Sequence, residues 1–170
     1  IVAADPGTPC PYLSAYYPVR KAGRTLFSNR AHGALGYSVA ASVGAHIGRP
    51  SVKTVAVMGD GSFGMCAGEL ETLVRYRLPI TLVVIRNASY GWIKAGQKTG
   101  YGQRYFSVDF GVTDHAKVAE AFGVKSWKVE DPAKLGAVLK EAIAYGGPTL
   151  VDIVCQPLHE ARAPVSEWVA

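Results

Sequence analysis

A carboxylate stands inside a glycine loop of the kind that holds phosphate: Gly59-Asp60-Gly61-Ser62-Phe63 follows directly on the apolar run from Val52 to Met58. A glycine turn between a strand and a helix presents outward N–H groups and the positive end of the helix dipole, a ready site for phosphate oxygens. Asp60 opposes that anion. At an effective dielectric of about 20, two unit charges ~4 Å apart repel by roughly 4 kcal/mol, and a divalent cation between them removes the conflict. Magnesium takes oxygen ligands in octahedral geometry and commonly bridges one or two protein oxygens to a substrate's phosphates. The loop therefore points to a metal–diphosphate site.

A second ligand is expected at the end of the neighbouring strand, where parallel α/β sheets place their ligand crevice. The run Ile80 to Ile85 reads as a buried strand from its length and β-branched content, and it ends in Arg86-Asn87-Ala88-Ser89-Tyr90-Gly91. Asn87 offers a neutral carboxamide oxygen. It lies 27 residues after Asp60, enough for a loop, a helix and a strand, which puts both residues at the carboxyl edge of adjacent parallel strands.

The elements that must position this pair alternate along the chain. Ile1 to Ala4 reads as a strand, and Asp5 to Pro18, with Pro6, Gly7, Pro9, Pro11 and Pro18, as a loop without regular helix. Arg24 to Ser28 is expected as a short strand and Gly33 to Ile47 as a helix rich in Ala and Gly. Its weak intrinsic propensity requires packing or a bound cofactor to compensate. Strand Val52 to Met58, helix Cys66 to Tyr76, strand Ile80 to Ile85 and a short element near Tyr90 to Ala95 follow, then an ordered but mobile loop from Gly96 to Gly111. Helix Asp114 to Phe122 with Asp114 as N-cap, strand Lys125 to Val129, helix Pro132 to Tyr145 with Asp131 as cap and Pro132 at its first position, and strand Thr149 to Val154 complete the series. The alternation predicts an α/β fold, a doubly wound, mainly parallel six-stranded sheet with helices on both faces.

Composition supports one compact domain over residues 1–170: hydrophobic residues make up 49% and the mean hydropathy is +0.12, enough for a sizeable core. The apolar runs are far shorter than the ~20 residues of a membrane helix, and no charged start precedes an apolar signal stretch. A cytoplasmic protein without membrane contact is expected. Cys10, Cys66 and Cys155 form no close pair and are read as buried or inert thiols. The net charge of +5 is spread without a basic run, which argues against nucleic acid. The chain starts at Ile1 rather than Met, and is expected to be a piece or processed subunit of something longer.

The Gly59-Asp60-Gly61 loop with Asn87 resembles the thiamine diphosphate enzymes of the acetolactate synthase and pyruvate decarboxylase type. Upstream, Ser28-Asn29-Arg30-Ala31-His32-Gly33-Ala34-Leu35-Gly36-Tyr37 is similar to the family segment that receives the thiamine pyrimidine, and the order of segments matches the C-terminal, diphosphate-binding domain over nearly the whole chain. The resemblance implies a thiamine diphosphate-binding fold. It implies magnesium held by Asp60, the Asn87 side chain and the Ser89 carbonyl. Gly59, Gly61, the Ser62 hydroxyl and N–H groups near Tyr90 and Gly91 would hold the diphosphate. Gly33 would accept a hydrogen bond from the pyrimidine amino group, and Leu35 would support the bent cofactor. His32 is a candidate to face the substrate, with a surface role as its plainer reading.

The implied reaction is decarboxylation or carboligation of a small 2-keto acid through an enamine intermediate, with the presence of FAD undetermined. The glutamate that activates the cofactor in this family belongs to a pyrimidine-binding domain or subunit, so a dimer or tetramer is implied. Gly96 stands where acetolactate synthases carry a substrate-selecting tryptophan, and Trp92 where a smaller apolar residue is usual, which argues against strict acetolactate synthesis. Arg86 replaces an Asn that is common before the metal-binding Asn. The serious rival is an NADP-binding Rossmann oxidoreductase domain, because Gly59 to Gly64 also spells Gly-x-Gly-x-x-Gly, with Arg86 as the only feature suited to a 2′-phosphate. Glu69 and Glu71 lie two apart on a helix, on different faces, and make no acid/base pair.

Overall fold

In a computed structural model of the chain, which describes residues 1–157, 160 and 161, six strands form one sheet. They are β1 (Val2–Ala4), β2 (Leu26–Ser28), β3 (Thr54–Gly59), β4 (Ile80–Arg86), β5 (Lys125–Val129) and β6 (Thr149–Val154). Every pairing is parallel, in the order β2-β1-β3-β4-β6-β5. The chain passes from β1 outward to β2, then returns to the other side of β1 to lay down β3. This reversal makes the crevice between the carboxyl ends of β1 and β3 the topological switch point, where open α/β sheets bind their ligands. Asp5 and Asp60 follow directly on those two strands.

Seven helices, α1 (Pro9–Tyr16), α2 (Tyr37–Gly48), α3 (Asp60–Cys66), α4 (Glu69–Arg75), α5 (Gly91–Gly100), α6 (His115–Ala121) and α7 (Pro132–Ala144), connect the strands and cover both faces. Side chains alternate across a strand. On β4, Ile80, Leu82 and Val84 enter the larger core with Val39, Leu70, Leu73 and Val124, while on β6 Val151 turns to a second cluster with Trp127 and Leu139 beneath α7. Continuous burial of β4 is what a central parallel strand requires. Asp114 and Asp131 cap their helices as expected, accepting from the backbone N–H groups of Lys117 and Ala133 at 3.0 Å each.

Several strand and helix ends shift by one or two residues, and four larger differences from the sequence reading bear on the site. The stretch taken as a proline loop contains α1, because Pro9 and Pro11 occupy its first turn, where no intrahelical N–H donor is needed. The helix expected from Gly33 begins only at Tyr37: Gly33 and Gly36 have φ of +74° and +83°, left-handed values that fold residues 33–36 into a turn. The glycine loop shrinks to a junction at Gly59, and the segment after it winds into α3 with buried Phe63 as its anchor. The predicted single helix from Cys66 to Tyr76 is thereby divided at Ala67 and Gly68 into α3 and α4. Finally, α5 runs on through Gly96 to Gly100, so the irregular segment starts at Tyr101. No helix among the described residues is long and apolar enough to cross a membrane. His159, which carried no sequence pattern, lies outside the described residues.

Candidate functional site

Adjacent strands β3 and β4, paired from Thr54 with Ile80 to Gly59 with Ile85, bring Asp60 and Asn87 together as expected. Asp60 Oδ2 accepts from the backbone N–H groups of Asn87 at 3.0 Å and Ala88 at 2.6 Å, and Oδ1 from Gly61 at 2.9 Å. Burial pushes the Asp60 carboxyl above the usual carboxylate range, opposed by these three donors and by nearby His115. Asn87 Oδ1 in turn accepts from the Ser89 N–H and hydroxyl at 3.2 and 3.4 Å. Ala88 has φ of +55°, a conformation a residue with a side chain rarely adopts, and here it lets successive amides converge on one carboxylate.

The 88–91 turn is clamped from outside. Tyr90 N–H donates to Val108 and Phe110 N–H to Ala88, both to carbonyl oxygens, and Lys94 pairs with Asp109 at 2.6 Å. The Tyr90 and Phe110 rings meet edge to face at 4.4 Å. Gly61 lies under this pair: a Cβ there would stand 2.6 Å from the Tyr90 ring, so any side chain at 61 displaces the clamp.

Asp5 is a site residue that the sequence reading missed. It is fully buried and accepts from the N–H groups of Gly36 at 3.1 Å and Ser38 at 2.7 Å, with the Ser62 side chain beside it. One carboxylate thus ties the end of β1 to the 33–36 turn and to α3, and burial raises its pKa despite these bonds. Its position directly after the first strand was the available signal. A second missed group lies behind the metal-type loop: Arg86 Nε donates to fully buried Asp152 at 3.2 Å and Nη1 to the Thr113 carbonyl at 3.4 Å, while His115 N–H donates to the other Asp152 oxygen at 3.2 Å. These bonds join the ends of β4 and β6. Arg86 is buried, with Nε and Nη1 engaged by Asp152 and Thr113, and it does not line the cavity over the switch point, which weakens the NADP alternative.

A cavity of about 330 Å³ opens over the switch point. Gly33, Leu35, Gly59, Asp60, Gly61, Ser62, Asn87, Ser89, Tyr90 and Gly91 all line it, together with the 6–11 segment that carries the start of α1. Every proposed cofactor or metal residue is therefore on one wall or another of a single chamber. His32 is not: it is exposed and lies outside the lining. Leu35 is half-buried, faces Gly7, whose added Cβ would stand 3.9 Å from a Leu35 methyl, and belongs to neither core cluster. The backbone donors differ in detail from expectation. Tyr90 and Gly91 N–H groups are taken by the Val108 and Ser89 carbonyls, and among the described residues those of Trp92 and Ile93, in the first turn of α5, have no backbone acceptor. All three cysteines are free, and burial pushes the Cys66 and Cys155 thiols up to about 12 and about 11, as inert thiols require.

The oxygen donors at Asp60, Asn87 and the Ser89 carbonyl are hard ligands without sulfur or imidazole, the set that suits magnesium. Among the described residues no group of three or more His, Cys, Asp or Glu side chains is arranged to hold a metal. A site with few protein ligands is what magnesium uses when phosphates and water complete its shell.

A parallel sheet with a carboxylate-bearing glycine junction at its switch point defines an α/β domain whose ligand crevice lies at the carboxyl ends of β1 and β3. The family model for the C-terminal TPP-binding domain of thiamine pyrophosphate enzymes matches residues 5–153, and the chain belongs to that family. It is 31% identical over 158 residues to a probable acetolactate synthase large subunit of Methanococcus aeolicus, covering 92% of this chain and 26% of that protein. Identity to the acetolactate synthase large subunit of Porphyra purpurea is 38% over 126 residues, 73% of this chain and 21% of that protein. Identity to the acetolactate synthase of Bacillus subtilis is 34% over 152 residues, 89% of this chain and 26% of that protein. The chain thus spans about a quarter of the length of these relatives.

Proposed function

We propose that this chain forms the magnesium- and diphosphate-binding wall of a thiamine diphosphate-dependent enzyme acting on 2-keto acids, by decarboxylation, carboligation or both. The observation that carries this reading is the convergence of Asp60, Asn87 and Ser89 on one wall of the cavity that Leu35 and Gly33 also line. Asp60 and the Asn87 carboxamide hold the cation with the Ser89 carbonyl. The Ser62 hydroxyl and the amides of Trp92 and Ile93 receive the diphosphate oxygens, and Gly61, without a side chain, lets them approach the backbone. Gly33 and Leu35, set by the two left-handed glycines and the Asp5 anchor, receive the pyrimidine end. The chemistry such a cofactor supplies is an electron sink for breaking and making bonds beside a carbonyl, and the protein's part is to orient and to exclude water. The activating glutamate comes from a pyrimidine-binding domain or subunit, within a cytoplasmic dimer or tetramer.

Calorimetry on the complete protein tests this directly. Thiamine diphosphate is expected to bind with magnesium and to lose most of its affinity in EDTA. Equal binding without a divalent metal, or tight binding of NADP in its place, refutes the reading.

Leu35→Ala separates cofactor shape from cofactor affinity. Because the diphosphate anchors lie on β3 and β4, the substitution is expected to slow deuterium exchange at the thiazolium C2 by about 10-fold or more while changing affinity by less, general acid/base steps of this kind being worth ~10²–10⁴-fold. An unchanged exchange rate, measured by NMR after acid quench, returns Leu35 to a packing role.

A further inference from the structure

Two charged side chains line the cavity, Asp60 at its floor and Arg30, to which the reading above gives no task. Asp60 is engaged by three backbone donors. Arg30 is held differently. Its guanidinium carbon stands 5.9 Å from the centroid of the Trp92 ring, and Nη1 points at Cys10 Sγ at 3.8 Å. A thioether or thiol sulfur is a weak acceptor, and an aromatic face orients a planar cation without using up its N–H donors. No ion pair found among the described residues includes Arg30. The exposed Arg30 guanidinium is therefore held at the rim of the chamber, with no carboxylate paired to it among the described residues, beside walls of proline, Leu35, Trp92 and Ile93.

We propose that Arg30 binds a carboxylate of the substrate that survives the reaction, so that the enzyme selects 2-keto acids with a second acidic group. This rests on the thiamine reading. In decarboxylation the bond between C1 and C2 breaks, C1 leaves as CO₂, and the electron pair stays on the fragment that carries C2. A guanidinium paired with C1 would stabilise the charged ground state more than the transition state, in which that charge is leaving, and would slow the step. Arginine matches a carboxylate in bidentate fashion, and one placed in this chamber suits an anion that remains charged throughout. A site rimmed by one such cation favours the acid whose second carboxylate pairs with it over the analogue that has none.

The complete protein, loaded with magnesium and thiamine diphosphate, is assayed with oxaloacetate and 2-ketoglutarate against pyruvate and 2-ketobutyrate. At least one dicarboxylic acid is expected to exceed both monocarboxylic acids in kcat/KM by about 10-fold or more, since a charge-assisted bond is worth about that factor. Arg30→Met is expected to remove this preference through KM, leaving the monocarboxylic acids and cofactor affinity unchanged, and Arg30→Lys to restore part of it. A turnover-free readout uses Trp92: a dicarboxylic acid should change tryptophan fluorescence saturably in the wild type and not in Arg30→Met. Equal losses on both substrate classes, or no saturable change with either dicarboxylic acid, overturn the proposal. Failure of the wild type to bind thiamine diphosphate overturns the cofactor reading instead, and the fluorescence titration still decides the role of Arg30.

Discussion

Asp60→Ala is expected to abolish magnesium-dependent binding of thiamine diphosphate to the complete protein. The carboxylate is buried beside the diphosphate anchors and is the only acidic side chain in the proposed ligand set. Stripping one partner from a buried charge pair costs about 3–5 kcal/mol, or ~10²–10³-fold or more in affinity. The same change also frees three backbone N–H groups, those of Gly61, Asn87 and Ala88, each costing about 1–3 kcal/mol if left buried and unpaired. Lost binding in the Ala variant alone would not separate ligation from folding. Asp60→Asn does, since its carboxamide oxygen still accepts from the 87–88 turn while the charge is gone. Calorimetry beside thermal unfolding of the cofactor-free proteins gives the comparison. Wild-type affinity in Asp60→Asn would show that the negative charge at 60 is not what holds the metal.

What the sequence disclosed and what it hid divide along the range of the interactions. Strands β5 and β6 fall on their expected bounds, and Asp114 and Asp131 cap as expected, because β-branched runs and cap residues act within a few positions. The Asp60–Asn87 pair was legible since two consecutive parallel strands are usual neighbours. Asp5 was not. Its partners, Gly36, Ser38 and Ser62, become neighbours only because β3 returns to lie beside β1 across some fifty residues, a choice of strand order that local pattern does not carry. The same holds for Arg86, where the substitution was visible but its partners Asp152 and His115 arrive from β6 and α6. The left-handed Ala88 had no signal at all, since alanine at such a position is imposed by the two N–H bonds to Asp60 rather than favoured by its own conformational preference. α1 was hidden for the opposite reason: its prolines read as breakers unless their place in the first turn is known.

Residues 1–170 alone are expected to show no measurable decarboxylation of 2-keto acids, with activity returning when the pyrimidine-binding part is supplied. Among the described residues the cavity lining contains no glutamate. The two glutamates near it in sequence are committed elsewhere: Glu71 pairs with Arg75 at 2.8 Å, and Glu69 accepts from the Thr72 hydroxyl at 3.2 Å, and both are exposed. Cofactor activation by an acidic group is a general acid/base step worth ~10²–10⁴-fold, and the open chamber adds to the loss by admitting water to a site that should be dry. The measurement is CO₂ release from the isolated chain, then from the same chain mixed with or fused to the proposed pyrimidine-binding part, at equal magnesium and cofactor. Restored turnover that vanishes when the added part carries Gln at its activating glutamate assigns the proton step to the partner. Full turnover by the isolated chain would instead require an acid from within it, and Glu69→Gln and Glu71→Gln would then identify which side chain reaches the site.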